Sequence, residues 1–176
     1  DRRMLKLLDD LQTLPVPVLA AINGYVMGGG CELSLACDMR IAEAHASFTF
    51  KHAAMGVTPG WGGFARLTAL VPRGAAAQLL MTAEPMLASE ALRVGLVEEV
   101  CDEGQAVQRC TALASASAAL SPDAVAAMKQ LLTGSRGLRA DELRVLEREC
   151  FEQRVRSMDH QEALRAFFEK RQPRFR

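Results

Sequence analysis

Three consecutive glycines, Gly28 to Gly30, stand two residues before an acidic residue, Glu32, in the stretch GYVMGGGCELSLACD (24–38). Glycine at a strand-to-helix junction lets a ligand approach the backbone, and the first N–H groups of a helix have no intrahelical acceptor. Glu32 follows Gly29 by three residues, so both are expected on one face of a helix. An N–H donor beside a carboxylate could stabilise a carbonyl oxygen that gains charge while a proton moves nearby.

Two phosphate-binding motifs do not fit this stretch. A G-x-x-x-x-G-K-[ST] loop fails because Gly24 and Gly29 are followed by Gly30 and Cys31, and a G-x-G-x-x-G fingerprint fails because Leu33 stands three residues after Gly30. An oxyanion site with a proton-carrying acid therefore remains possible. A tight turn followed by an acid that the helix dipole favours is equally compatible with the residues.

The elements that must position these residues follow an α/β pattern. Ser121 followed by Pro122 predicts a helix start in the last third of the chain. The pattern divides the chain into an α/β region, residues 1–103, and a helical region, residues 104–176. Within the α/β region it predicts helices over 2–14, 31–37, 64–71, 73–82 and 89–94, and strands over 16–23, 39–44, 47–50 and 95–100.

Composition narrows the classes of partner and compartment. Lys plus Arg and Asp plus Glu both number 21, so the zero net charge argues against a nucleic-acid or membrane-surface partner. Five cysteines without a C-x-x-C pair favour a reducing, cytoplasmic location. His45 and His160 lack partners at ligand spacing, so we expect no metal site.

The segment PVPVLAAINGYVMGGGCELSLACDMRIA resembles the enoyl-CoA hydratase/isomerase, or crotonase, superfamily. The resemblance continues through MGVTPGWGGFARL, LLMTAEPMLASEALRVGLVEEV and LRAFFEKRQPRF, and so covers essentially the whole chain. It implies a crotonase-like spiral of ββα units with a helical C-terminal trimerisation region. It also implies acyl-coenzyme A thioesters as substrates, no separate cofactor, and a homotrimer or dimer of trimers.

The resemblance assigns roles to individual residues. Gly29 matches one of the family's two backbone oxyanion donors, and Glu32 matches the first of the hydratases' two catalytic glutamates. Phe167 and Lys170 match positions that reach the coenzyme A of a neighbouring subunit. The other positions expected to bind substrate are Gly28, Gly30, Pro59, Gly60 and Trp61.

The chain departs from the family pattern in two places. The family's N-terminal segment, with its opening strands, second oxyanion donor and adenine-binding loop, has no counterpart here, so we expect a truncated chain or a fragment. His52 occupies the position of the second catalytic glutamate. The stretch from Phe50 to Gly63 is similar to ethylmalonyl-CoA decarboxylases, which belong to the same superfamily.

These observations predict an acyl-CoA enzyme, with hydration of a 2-enoyl-CoA as the leading activity. Decarboxylation of a substituted malonyl-CoA is the alternative, because it needs an oxyanion site and one proton donor but no pair of carboxylates. His52 could then carry a proton, since the ordinary pKa of histidine lies near neutrality. A non-catalytic paralogue that binds acyl-CoA, or only assembles with other subunits, is the third hypothesis.

Overall fold

The computed structural model describes residues 2–135 and 137–175, which form two compact units. The first unit contains residues up to 12 and residues 18–113, and the second contains residues 13–17 and those from 114 onward. Strands and helices alternate in the first unit, whereas the second is helical, which confirms the expected α/β class. The domain boundary expected near residue 103 stays a prediction.

The first unit contains all the strands of the described chain and most of its short helices. Its strands are β1 (Leu19–Ile22), β2 (Tyr25–Met27), β3 (Met39–Glu43), β4 (Ser47–Thr49), β5 (Met86–Leu87) and β6 (Glu99–Cys101). The helices are α1 (Arg2–Thr13), α2 (Gly29–Leu35), α3 (Gly63–Leu70), α4 (Arg73–Thr82), α5 (Ala88–Val94), α6 (Ala106–Ala118), α7 (Pro122–Gly134), α8 (Ala140–Val155) and α9 (Met158–Phe168), and a 3-10 turn covers Ala53–Met55.

The chain alternates between two three-stranded sheets as it advances. One sheet has the order β1-β3-β6 and is parallel throughout, and the other has the order β2-β4-β5, in which β5 is antiparallel to β4. Leu19 pairs with Met39, so the step from β1 to β3 takes 20 residues, whereas the step from β3 to β6 takes 58, because Ile41 pairs with Glu99. Each turn adds one strand to each sheet, which is the repeating ββα progression that the fold class requires.

Apolar side chains from both sheets and from the flanking helices form one core in the first unit. Phe48 and Phe50 are almost completely buried, together with Leu35 of α2 and Leu67 of α3. A buried guanidinium holds the end of α2, because Arg40 donates to the carbonyl oxygens of Ser34, in the last turn of the helix, and of Cys37, two residues after it. The helix that bears Glu32 is therefore held by the core on one side and by Arg40 at its end.

The structure differs from the predicted elements where strands are short. The strand predicted over 95–100 is confined to β6, because Gly95 (φ +80°) ends α5 in the left-handed region and only Glu99–Cys101 join the sheet. Strands β2 and β5 were not predicted, since two or three residues are too few to show a period of two. The start of α7 is confirmed, because Ser121 Oγ accepts the N–H of Ala124 at 3.2 Å. In the part of the chain that the structure describes, no helix is long and apolar enough to cross a membrane.

Candidate active site

Glu32 is the centre of a buried polar cluster in the first unit. The residue is only 2% exposed, yet its carboxylate has four donors around it. Oε2 accepts the N–H groups of Trp61 and Gly63, both at 2.8 Å. Oε1 accepts the N–H of Gly60 and lies 3.2 Å from His52 Nε2, the same distance as to Gly60 N. An ionised carboxylate offers about four acceptor positions, so this buried charge is fully hydrogen-bonded.

The two oxygens of this carboxylate are held differently. Both contacts to Oε2 are 2.8 Å long and come from backbone, whereas both contacts to Oε1 are 3.2 Å long. Hydrogen bonds weaken as the distance grows beyond about 3 Å. Oε2 is therefore the anchored oxygen, and Oε1 is the one that can exchange a protein donor for a substrate or a water molecule.

His52 follows β4 and lies 20 residues after Glu32, one turn of the spiral later. Its side chain is 11% exposed, and its ring lies 6.2 Å from that of Phe50, tilted by 41°. The carboxylate can only accept, so the contact with Glu32 places the proton of a neutral imidazole on Nε2. Nδ1 is then an acceptor, and it is buried without a partner among the described residues.

The three consecutive glycines have three different surroundings. Gly28 has φ +51°, a conformation that other residues rarely adopt, and its N–H donates to the Thr49 carbonyl at 3.0 Å. A Cβ on Gly29 would lie 2.2 Å from Trp61 Cζ3, so the indole packs directly on this glycine. A Cβ on Gly30 would meet nothing closer than Val26, at an ordinary 3.6 Å.

The backbone donors of this turn are available. Within residues 2–135 and 137–175, no protein group accepts the N–H of Gly29 or of Gly30. The N–H of Gly29 is thus a free donor one helical turn before Glu32, beside the indole of Trp61. This arrangement agrees with the expected oxyanion donor, whose role stays a prediction.

Two residues of the cluster were missed by the sequence analysis. Gly63 donates to Glu32, and a Cβ there would lie 2.5 Å from Glu32 Cγ, so only glycine fits. Arg66, on the first turn of α3, donates from Nη1 to the Trp61 carbonyl at 2.6 Å. The glycine pair Gly62-Gly63 was a visible signal of close packing, but nothing in the sequence indicates that its partner is Glu32.

The remaining expected site residues lie elsewhere. Pro59 is half-buried in the loop before α3. Phe167, 77% exposed at the end of α9, and Lys170, with a left-handed φ of +54°, belong to the second unit. Their expected contact with the coenzyme A of a neighbouring subunit stays a prediction.

Cys31 adjoins Glu32 but is not a reactive thiol. Burial, with a smaller effect of the neighbouring Glu32 charge, raises the pKa of the Cys31 thiol to about 12. Its Sγ donates to the Val26 carbonyl at 3.2 Å. A thiol that stays protonated is a poor nucleophile and a poor metal ligand. No group of three or more His, Cys, Asp or Glu in the described ranges is arranged to hold a metal ion.

The whole chain, residues 1–176, matches the family model described as enoyl-CoA hydratase/isomerase. It is 38% identical over 161 residues to a short-chain-enoyl-CoA hydratase of Clostridium acetobutylicum, covering 92% of this chain and 62% of that protein. It is 36% identical over 167 residues to a crotonyl-CoA hydratase of Syntrophomonas wolfei, covering 94% of this chain and 64% of that protein.

Solved structures have the same fold. Pseudomonas aeruginosa DspI is 40% identical and superimposes with a TM-score of 0.95 over 99% of this chain and 67% of its own. An enoyl-CoA hydratase of Bacillus anthracis is 35% identical, with a TM-score of 0.94 over 98% of this chain and 67% of its own. The chain therefore spans less than two thirds of the length of the two hydratases compared above.

Proposed function

We propose, from the premise that this chain belongs to the enoyl-CoA hydratase/isomerase family, that the full-length protein adds water to a 2-enoyl-CoA thioester. The observation that carries the proposal is the buried pair formed by Glu32 Oε1 and His52 Nε2, 3.2 Å apart, one helical turn from the free N–H of Gly29. This pair supplies a proton carrier beside an oxyanion donor, which are the two parts that the reaction needs.

Each group has a defined task in the proposed reaction. The oxygen of water bonds to C3 of the enoyl group, and the electron pair of the C2–C3 double bond moves onto the thioester oxygen. The N–H of Gly29 stabilises that enolate oxygen. Glu32 takes the proton released by water through its exchangeable Oε1, and the Glu32–His52 pair returns one proton to C2. The product is a 3-hydroxyacyl-CoA, and the pair regains its starting state.

A second candidate activity is favoured by the same pair. His52 stands where the resemblance places a glutamate, so the site holds one carboxylate rather than two. In decarboxylation of a substituted malonyl-CoA, the bond between C2 and the carboxylate breaks and carbon dioxide leaves. Its electron pair forms the thioester enolate at Gly29, a proton from the Glu32–His52 pair then reaches C2, and a proton taken up from solvent restores the pair. A histidine repels the carboxylate of such a substrate less than a glutamate would.

Assembly and location belong to the same proposal. A homotrimer or dimer of trimers is supported by exposed apolar side chains on the second unit. An acyl-CoA thioester as the substrate is supported by the family. Zero net charge supports the absence of nucleic-acid and membrane partners. A cytoplasmic location, with no cofactor beyond the substrate's own coenzyme A, is supported by five free cysteines and by the family's chemistry.

The test assays the full-length protein against 2-enoyl-CoA and alkylmalonyl-CoA thioesters. Glu32→Gln should lower kcat by ~10²–10⁴-fold, because a general acid–base group contributes about that much. Glu43→Gln is the matched control, since Glu43 is also buried, at 4% exposure against 2% for Glu32, and accepts a backbone N–H, that of Ala106 at 3.2 Å. If wild type shows neither activity and Glu32→Gln changes nothing, the protein is a non-catalytic paralogue.

His52→Glu separates the two reactions. For a hydratase, the second carboxylate should maintain or raise the rate of water addition. For a decarboxylase, it should weaken binding, because two like charges at ~4 Å repel by roughly 4 kcal/mol at an effective dielectric constant of 20. Circular dichroism of each variant checks that the fold is retained.

A further inference from the structure

We infer that Arg66 is a positioning residue for Glu32, acting through the backbone of Trp61. The guanidinium does not touch the carboxylate. It holds the carbonyl of the residue whose N–H donates to that carboxylate. The catalytic consequence rests on the proposed function, whereas the positioning itself can be tested without any reaction.

Every branch of the Arg66 guanidinium has an acceptor. Nη1 donates to the Trp61 carbonyl at 2.6 Å, and the other contacts reach α1, where Nη2 lies 2.5 Å from Asp9 Oδ1 and Nε lies 3.0 Å from Gln12 Oε1. The side chain is 5% exposed. The planar fork of arginine has five donors in fixed directions and so spans acceptors on two elements, whereas the compact ammonium of lysine reaches less widely. Arg66 therefore ties the loop before α3 to helix α1.

Trp61 is held at three points, and Arg66 supplies one of them. Its N–H donates to Glu32 Oε2 at 2.8 Å, and its indole lies against Gly29. Its carbonyl belongs to the peptide that leads into Gly62, whose φ of +83° turns the chain so that the Gly63 N–H also reaches Glu32. Releasing the carbonyl frees this peptide to rotate, and the two short hydrogen bonds that anchor Oε2 would lengthen together.

A purely structural role explains these contacts less well. Burying a guanidinium is costly, and its acidic partner Asp9 is 60% exposed, so their attraction is partly screened by solvent. An apolar side chain could fill the same space at lower cost. An apolar side chain has no donor for the carbonyl of Trp61, so this hydrogen bond is the contact that needs a polar residue at position 66.

Arg40 provides an internal comparison. It is as buried as Arg66, at 2% exposure against 5%, and belongs to the same unit. Its guanidinium donates to the carbonyls of Leu96, Ser34 and Cys37 and pairs with Glu98. These hydrogen bonds of Arg40 do not reach residues 60–63. The same substitution at both positions therefore compares the loss of a buried arginine with the loss of the contact to Trp61.

The experiment uses the full-length protein labelled with 5-fluorotryptophan, and Trp61→Phe identifies the resonance of Trp61. In Arg66→Met this resonance should shift and broaden, because the loop gains freedom. In Arg40→Met it should shift less than in Arg66→Met even though the melting temperature falls, because Arg40 contacts the end of α2 rather than residues 60–63. For the reaction, Arg66→Met should lower kcat ~10- to 100-fold with KM changed less than about threefold, as expected for a small misplacement of catalytic groups.

Further variants keep the inference testable if Arg66→Met does not fold. Arg66→Lys should recover part of kcat, because an ammonium can still reach the Trp61 carbonyl. Asp9→Asn, which keeps Arg66 but weakens its outer partner, should move the resonance in the same direction by a smaller amount. A Trp61 resonance unchanged in folded Arg66→Met, Arg66→Lys and Asp9→Asn overturns the inference. A shifted resonance in a protein that hydrates no enoyl-CoA would leave the positioning intact and refute the proposed function instead.

Discussion

The two units differ in how many of their apolar residues they bury. Of the apolar residues buried in the described chain, only Cys150 and Ala166 belong to the second unit, and all the others belong to the first. Both units expose large apolar side chains, among them Phe64 and Met81 in the first and Met128, Leu132 and Phe151 in the second, but the second does so with almost no buried core. The first unit closes its core within one chain, whereas the second presents a surface of the kind that obligate partners cover.

Most buried polar groups also belong to the first unit, although Lys129 of the second is buried as well and donates to the Val16 carbonyl. The first unit contains the Glu32 carboxylate with its four donors, and the guanidinium groups of Arg40 and Arg66. Such groups are tolerated only where surrounding packing fixes every partner, because an unpaired buried charge is costly. We therefore expect the catalytic residues in the first unit, which has the complete core, and the subunit contacts in the second unit, which lacks one.

The largest expected effect concerns the packing around Glu32. Gly63→Ala places a Cβ 2.5 Å from Glu32 Cγ, so the carboxylate or the loop must move. We expect kcat to fall about 10²-fold and the unfolding free energy to fall by ~1–3 kcal/mol. Steady-state kinetics and thermal melting measure both quantities.

Gly74→Ala is the control for that substitution. Its Cβ would meet no atom within 4 Å, so activity and melting temperature should stay close to those of the wild type. Equal behaviour of the two alanine variants would mean that the first unit is not closely packed around its carboxylate, and the contrast between the units would fail.

The next effect concerns the surface of the second unit. Met128 and Leu132 lie one turn apart on α7 and are 64% and 71% exposed. Introducing glutamate at both positions should raise the dissociation constant of the assembly by at least ~10-fold, because each buried apolar side chain contributes about 1.5–3 kcal/mol. Analytical ultracentrifugation across a range of protein concentrations gives the result.

Met81→Glu is the matching change in the first unit, where Met81 is 79% exposed on α4. It should leave the sedimentation behaviour of the protein unchanged. If the assembly tolerates the double glutamate variant but dissociates with Met81→Glu, the interface lies on the first unit and the prediction is wrong.

The smallest effect concerns acid stability of the second unit. Hydrogen bonds from Arg171 and from the Arg174 N–H lower the pKa of Glu162 from its ordinary 4.5 to about 2. Because the native pKa lies below the unfolded one, the stabilisation is present above pH 4.5 and is lost as the pH falls towards 2. Glu162→Gln should therefore reduce the change in urea midpoint between pH 5 and pH 3.

Glu152→Gln serves as the reference for that measurement, since Glu152 pairs with Arg148 on an exposed helix face. Its effect on the pH dependence should be smaller than that of Glu162→Gln. If both variants keep the full acid dependence of the wild type, the ion pairs of the second unit contribute nothing measurable.

Sequence patterns located part of the site and could not supply the rest. Glu32 and the glycines were identified as candidates because three glycines at a strand-to-helix junction need a reason, although a first-turn acid favoured by the helix dipole fitted the residues equally well. The close contact of Gly29 with Trp61, and of Gly63 with Glu32, depends on residues about 30 positions apart, which no local pattern reveals. The resemblance to a family carried the roles of His52, Phe167 and Lys170, which physical reasoning from the residues left open.

The spiral also shows why no internal repeat was apparent in the sequence. Successive turns share backbone geometry, with β1 and β2 leading to α2 and then β3 and β4 leading to the next helical segment. Their side chains differ, because each turn meets different neighbours in the core. The step of 20 residues from β1 to β3 is followed by one of 58 from β3 to β6, so the spiral has no constant period that the sequence could show.

The step of 20 residues from β1 to β3 also has a consequence for the spacing of the site residues. Leu19 pairs with Met39 at the same separation that brings Glu32 to His52, so one length of chain sets strand register and the acid–histidine pair together. An inserted residue that shifted the register of β3 by one would turn each side chain of that strand to the opposite face, and it would also change the 20-residue separation of Glu32 and His52. Strand register and the acid–histidine pair are therefore sensitive to the length of the same stretch of chain.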